Sequence, residues 1–289
     1  MSTSIIKTLI FDKQVRLYLT NNTGLLNEII PIHQEANHVI KATLANSLSV
    51  VSLLSATLKE KQRLSTTLLM SQPKNKMHID VDAQGNLRGY ANDHLLAQEP
   101  ASVKQLIGQK GSIRMIKSSN MNQFTGITDM PYQDIDKDFS HYFQQSEQTD
   151  TLFKTHIDWT KKNAIANSYG LYAQLLPQAS KELLMYVGEA FDMLTSVLSK
   201  LSNVTETELA ATLRKYFGES SIIGYDEVQF FCDCSKEMFF GLLHAMNKGE
   251  IENQIQSGQP MPASCNICGK TYLFTTEELR TYLQEDVNG

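Results

Sequence analysis

The chain has 289 residues, of which 42 % are hydrophobic and 20 % charged, with a formal net charge of −5. That balance supports a packed core in one large domain or two smaller ones and argues against global disorder; it also argues against a protein whose main task is to grip nucleic acid. Met1 to Ile10 lacks a signal-peptide pattern, and no apolar run approaches the ~18–20 residues that span a bilayer, so no membrane association and a cytoplasmic location are expected.

The first part reads as mixed α and β. Val15, Leu17 and Leu19 alternate with Gln14, Arg16 and Tyr18, as in a strand, and Asn21-Asn22-Thr23-Gly24 reads as a turn. From about Ile32 to Leu58 there is no glycine or proline. Val39, Ile40, Leu44, Leu48, Val51, Leu54 and Leu58 recur at helical spacing, which predicts a long amphipathic helix with one buried stripe. Leu64 to Met70 and Met77 to Val81 predict two strands, and Leu87-Arg88-Gly89-Tyr90 begins a third. Asp134 to Gln148 reads as a polar helix, and Ile165 to Leu176 as a strand closed by Pro177. Strands grouped after one helix point to an α+β fold rather than a doubly wound sheet.

The character changes after Pro177. Ser180 is a candidate N-cap, and Leu184, Val187, Phe191, Leu194, Leu198 and Leu201 form one helical seam. Thr205 and Glu208 have capping-box spacing before a second helix carrying Leu209, Leu213 and Phe217, with Gly218 as its stop. Gly188 costs the first helix roughly 1 kcal/mol relative to alanine. Its stability must therefore come from packing, as in a core helix or in a conditional linker whose apolar face can be released. The expected organisation is an α+β core domain over 1–178, a helical linker over 179–228 and a small module over 229–289.

The chain's four cysteines all lie in that module, as Cys232 and Cys234 and, thirty residues on, Cys265 and Cys268. Such a C-x-C and C-x-x-C pair can close a tetrahedral thiolate shell around one Zn²⁺, and each pair is also close enough in sequence to form a disulfide. In a reducing compartment a metal-binding or redox-active quartet is favoured over a structural disulfide frame. Four thiolates and one Zn²⁺ carry a net charge of −2, which Lys236 and Lys270 are placed to offset. Met238, Phe239, Leu242, Leu243 and Met246 fit a helix between the pairs, Tyr272-Leu273-Phe274 a strand, and Thr276 to Leu283 a closing helix. His244 is considered as a further ligand and assigned instead to a helix surface.

Phe231-Cys232-Asp233-Cys234-Ser235-Lys236, then Cys265-Asn266-Ile267-Cys268 and Tyr272-Leu273-Phe274, resemble the heat-shock protein 33 family of redox-regulated holdase chaperones. Leu87-Arg88-Gly89-Tyr90, Ser146-Glu147-Gln148 and Gln174-Leu175-Leu176-Pro177 are similar to further landmarks in the family's order, so the resemblance covers nearly the whole chain. Two positions depart from it: Ser71-Gln72-Pro73-Lys74-Asn75 replaces a glycine-rich turn, and Gln178 stands where a glycine is expected. The resemblance implies an inactive reduced form with one Zn²⁺ on Cys232, Cys234, Cys265 and Cys268. It implies that oxidation to Cys232–Cys234 and Cys265–Cys268 disulfides expels the metal and unfolds module and linker. It further implies that the oxidised protein is a homodimer that holds unfolding client proteins without ATP. The seam from Leu184 to Leu201 is the candidate client surface, and charging it, as in Phe191→Asp, is expected to lower client capture by oxidised protein.

Two alternatives stay open at the level of sequence. One is a static zinc ribbon that binds a partner. The other is a C-x-x-C thiol oxidoreductase, against which Gly269 and a strand directly follow Cys268, where such an enzyme has a helix. No Ser-His-Asp set, phosphate-cradling glycine loop or H-E-x-x-H is present, so an enzyme is not expected.

Overall fold

The computed structural model describes residues 2–33, 35–119, 122–200, 205–243 and 246–287, and divides into two compact units, Met1–Phe231 and Cys232–Gly289. The fold is α+β. The first unit opens with β1 (Ser2–Ile10), β2 (Val15–Asn21), α1 (Thr23–Ile29), a 3₁₀ turn at Ile30–His33 and α2 (His38–Ser55). Then come β3 (Arg63–Leu69), β4 (Lys76–Asp82), β5 (Asn86–Ala91), α3 (Asp93–Leu96), α4 (Val103–Ile107), β6 (Ser112–Ser118) and β7 (Gln123–Asp129). It continues through α5 (Ile135–Ser146), β8 (Thr151–Trp159), β9 (Ile165–Leu175), α6 (Glu182–Leu198), α7 (Glu206–Phe217) and β10 (Ser220–Phe230).

Among the described residues these strands form one sheet in the order β7-β6-β3-β4-β5-β10-β1-β2-β9-β8. Its two halves meet at β10, which pairs with β1 along its length but parallel to β5 only at Gln229↔Asn86 and Phe230↔Leu87. The Phe231 N–H donates to Leu87 O at 3.0 Å, and Cys232 follows at once. The N-terminal segment is thus a central strand, and the end of the expected linker is its neighbour.

Helix α2 packs against strands of both halves, β4 and β5 on one side and β8 and β9 on the other. Fourteen of its eighteen residues are buried, so the expected single stripe is in fact burial nearly all round. Its serines tolerate this because their hydroxyls bond to the helix's own carbonyls, as Ser47 does to Thr43 O at 2.8 Å and Ser52 to Ser49 O at 2.7 Å. The helix starts at His38, later than expected, where the Asn37 side chain accepts from Val39 N–H at 2.8 Å. The expected turn at Asn21 to Gly24 is the entry to α1, and the Asn22 amide donates to Ser49 and Ser52 of α2. Gly89 lets α2 sit on β5, since a Cβ there would lie 2.9 Å from the Leu48 side chain. Gln178, at φ 72, holds the left-handed conformation that glycine adopts without strain.

On the face of β3–β4–β5 away from α2, Asp80 accepts from Ser65, lies 3.2 Å from His78 Nε2 and pairs with Arg88 at 3.2 Å. Burial opposes its charge, but the bonds from His78 and Ser65 and the Arg88 charge outweigh it and hold the carboxyl well below the usual range. At the sheet's β8 edge, Ser140 accepts from Phe153 N–H at 3.2 Å and Asp136 from Thr155 N–H and hydroxyl, both at 2.8 Å, so α5 caps an open edge. Burial pushes Asp136 up to about 6 despite these bonds. The two groups act in opposite directions. Asp80 stabilises the fold above the ordinary carboxylate pKa near 4, and that stability is lost as pH falls below it. The contribution of Asp136 is present below about 4 and lost as pH rises through about 6. Asp80→Asn is expected to cost about 1–3 kcal/mol at neutral pH and to flatten the acid limb of a urea-stability profile. An unchanged acid limb would dismiss the Asp80 network.

A second core lies on the other face of β1, β2 and β9, under α6 and α7. Val187, Phe191, Leu194 and Leu198 are buried in it with Leu17, Leu19 and Leu171, Leu184 is half-buried at its margin, and Leu201 lies outside the described residues. Residues 179–228, expected as a linker, lie within the first unit. Thr205 and Glu208 form the expected capping box and Gly218 ends α7, while Ser180 is not the N-cap of α6, a position held by Lys181.

Candidate metal centre

The second unit contains α8 (Lys236–Leu243), α9 (Lys248–Ser257), β11 (Met261–Ser264), β12 (Thr271–Phe274) and α10 (Thr276–Val287). β11 and β12 pair as a hairpin whose turn is Cys265 to Lys270. The turn closes through Gly269 N–H to Cys265 O at 2.8 Å and Cys265 N–H to Lys270 O at 2.9 Å, with Gly269 at φ 71. Only glycine adopts that conformation freely, which is the local reason for the Cys-x-x-Cys-Gly order. Cys232 and Cys234 precede α8, and the two pairs converge.

All four cysteines are free, and their sulfurs lie within 4.8 Å of one another. Cys232 Sγ is 3.7 Å from Cys265 Sγ, and Cys234 Sγ 3.3 Å from Cys268 Sγ. A tetrahedron of thiolates about 2.3 Å from a central Zn²⁺ has edges of about 3.8 Å. The donors present therefore fit a closed four-sulfur shell and can hold a metal ion. Both of these approaches run across the two sequence pairs, as in a shell that all four share.

Tyr272 O–H donates to Cys234 O at 2.7 Å and lies 3.2 Å from Cys234 Sγ. Burial raises the Cys234 thiol, but the hydrogen bonds from Tyr272 and the neighbouring cysteines bring it down to about 7. Burial pushes Cys232 and Cys268 up. Tyr272 is itself raised, first by its bond to Cys234. Sequence reasoning had Tyr272 only as a strand residue, and no local signal marks its hydroxyl as a partner of the site.

Lys236 does not offset the sulfur charge directly. Its ammonium binds both oxygens of Glu278, at 2.6 and 2.8 Å, and lies over the Phe274 ring. Glu278 also accepts from Thr275 N–H at 2.8 Å, so one carboxylate caps α10 and anchors the start of α8. The Thr275-x-x-Glu278 spacing was the readable signal for it. Lys270 lies over the Tyr272 ring, 4.9 Å from its centroid. His244 lies outside the described residues. The module's core is small: Leu243, Ile251, Tyr272, Phe274, Leu279 and Tyr282 are buried, with Phe239 and Phe240 against Tyr272 and Phe274.

Fold and site define a class: an α+β sheet unit followed in the chain by a small module built around four convergent cysteine thiols. The Hsp33 protein family model matches residues 4–275, and the chain belongs to that family. The 33 kDa chaperonins of Staphylococcus aureus strains Newman and MRSA252 are each 28 % identical to it over 97 % of both chains. The crystal structure of the 33 kDa chaperonin (heat shock protein 33 homolog) of Thermotoga maritima superposes with a TM-score of 0.83 over 99 % of both chains at 21 % identity, which shows the shared fold.

Proposed function

We propose that this protein is a redox-regulated, ATP-independent holdase chaperone, active when oxidised, and not an enzyme. The observation that carries the reading is the gathering of four free sulfurs within 4.8 Å in a module with a small core. One Zn²⁺ would be held by Cys232, Cys234, Cys265 and Cys268; when bound it keeps the sulfurs as thiolates and supplies the module's missing stability. Oxidation joins Cys232 to Cys234 and Cys265 to Cys268. For each disulfide two thiols give up two electrons and two protons to one peroxide, which leaves as two waters, by way of a sulfenic acid. Sulfurs bonded to each other no longer ligate, and the module unfolds.

Chain connectivity supports the coupling to residues 179–228. Unfolding of the module frees the end of β10, the strand that joins the half-sheets through two residue pairs. α7 and α6 directly precede it, and the α6 face carrying Val187, Phe191, Leu194 and Leu198 is the apolar surface that release would present to unfolding clients. The oxidised form would dimerise through such surface. The reading places the chaperone in the cytoplasm with client proteins rather than nucleic acid as its partners, which suits an acidic chain; among the described residues no helix is long and apolar enough to cross a membrane.

Light scattering from a thermally unfolding client tests the reading, with zinc-loaded reduced protein and peroxide-treated protein side by side. Only the oxidised sample is expected to suppress aggregation. Equal behaviour of the two would make the metal purely structural and return the static zinc ribbon to first place.

A further inference from the structure

A pocket of about 590 Å³ opens in the first unit where α5, the outer edge of β8 and the start of α6 come together. A volume of this size suits a small organic molecule. Leu152 of β8 and Leu184 and Met185 of α6 form an apolar wall, and Met185 is 65 % exposed at its rim. The polar groups divide sharply. Each acid in the lining is already engaged within the protein: Asp134 accepts from Lys137 N–H, Asp136 from Thr155, and Asp150 pairs with Lys181 at 3.0 Å. The ammonium groups of Lys137 and Lys154 line the same space and make no hydrogen bond or ion pair to the described residues, although the Lys154 charge acts on Asp136. Thr151, 8 % exposed, lines it too, and its hydroxyl has no partner in the protein. The unspent polar capacity therefore includes two cations and the Thr151 hydroxyl beside an apolar wall, with the Tyr132 and Gln144 side chains at the same space.

We propose that this pocket binds a small amphipathic organic anion, a carboxylate with an apolar tail, its head between Lys137 and Lys154 and its tail along Leu152, Leu184 and Met185. The charge complementarity and the aliphatic wall name the ligand class together: an uncharged tail wastes the lysines, and a bare anion wastes the wall. The site stands independently of the chaperone reading. It has a consequence for that reading, because two wall residues belong to α6. A ligand that needs α6 in place binds the docked state only and stabilises it by mass action, so it should oppose release of the helix.

Calorimetric titration of decanoate into the reduced, metal-loaded full chain tests the site. One saturable site is expected, with 1-decanol binding at least tenfold more weakly. Loss of one charge-assisted contact is worth about tenfold or more in affinity, so Lys137→Gln and Lys154→Gln should each weaken decanoate by that factor and the double variant further. Lys61→Gln, at an exposed position outside the pocket, should leave it unchanged. Absence of saturable binding, equal binding of decanol, or full affinity in the double variant would overturn the proposal. The decanol comparison needs no variant, so a folding defect cannot mask the result.

Discussion

Cys265→Ser is expected to abolish stoichiometric metal binding and to unfold the residues from Cys232 onward while the sheet unit stays folded. Cys265 is the most buried of the four cysteines and begins the hairpin turn, so its loss opens the shell and leaves three thiolates around a site built for four. Structural zinc in small modules contributes on the order of 10–16 kcal/mol of apparent binding free energy at neutral pH. The core of Leu243, Ile251, Tyr272, Phe274, Leu279 and Tyr282 is too small to replace that sum. The measurement is zinc per chain, read with the near-ultraviolet dichroism of the Phe239, Tyr272, Phe240 and Phe274 cluster. One equivalent of zinc retained with an unchanged aromatic signal would show that the quartet is not the structural centre of the module. Since the proposed inhibition requires the metal, reduced Cys265→Ser should also suppress client aggregation without any oxidant.

Phe191→Asp is the second large effect. Phe191 is 4 % exposed in the core between α6 and the β1-β2-β9 face. Removing such a ring costs about 3–5 kcal/mol, and a buried unpaired carboxylate adds to that. The cheapest response is for α6 to leave the sheet. Thermal unfolding of the first unit should begin on the order of 10 °C lower or more, at 2–4 °C per kcal/mol for a unit of this size. The consequence for activity separates two client surfaces. If the seam on α6 captures clients, the oxidised variant captures fewer because its seam carries a charge. If the uncovered face of Leu17, Leu19 and Leu171 captures them, the reduced variant gains capture and the oxidised variant keeps it. We expect the reduced variant to gain activity and the oxidised one to lose part of its own. An inactive reduced variant together with an unaltered oxidised one would remove this layer from the mechanism.

Local signals carried the parts of the protein that depend on local chemistry. The four cysteines were legible because ligand spacing is a property of a short stretch of chain. The Thr205 and Glu208 capping box, the stop at Gly218 and the three- and four-residue rhythm of α6 were legible for the same reason. The pairing of β1 with β10 was not. Their register joins Ser2 to Gln229, and nothing near either residue names a partner that distant. Most of β10 therefore falls within the expected linker, and no strand is expected over Ser2–Ile10. For α2 the apolar period was real but understated its burial, because a helix packed against both half-sheets keeps a narrow half-buried stripe at Val39, Ala42 and Asn46, and its buried serines bond to carbonyls of their own helix.

By itself, then, the sequence determined the α+β class, the four-cysteine quartet with metal-ligand spacing, the helix pair after Pro177 and the likeness to a chaperone family. Each follows from residue type and spacing over a few turns of chain. Only the tertiary structure decided that the α6 seam is buried against the sheet, that Tyr272 and Glu278 join the module's polar framework, and that the ammonium groups of Lys137 and Lys154 line a pocket with an apolar wall without an ion pair to the described residues. The physical reason is common to all three. Burial and charge pairing depend on which surfaces meet, and that is set by contacts between segments far apart in the chain.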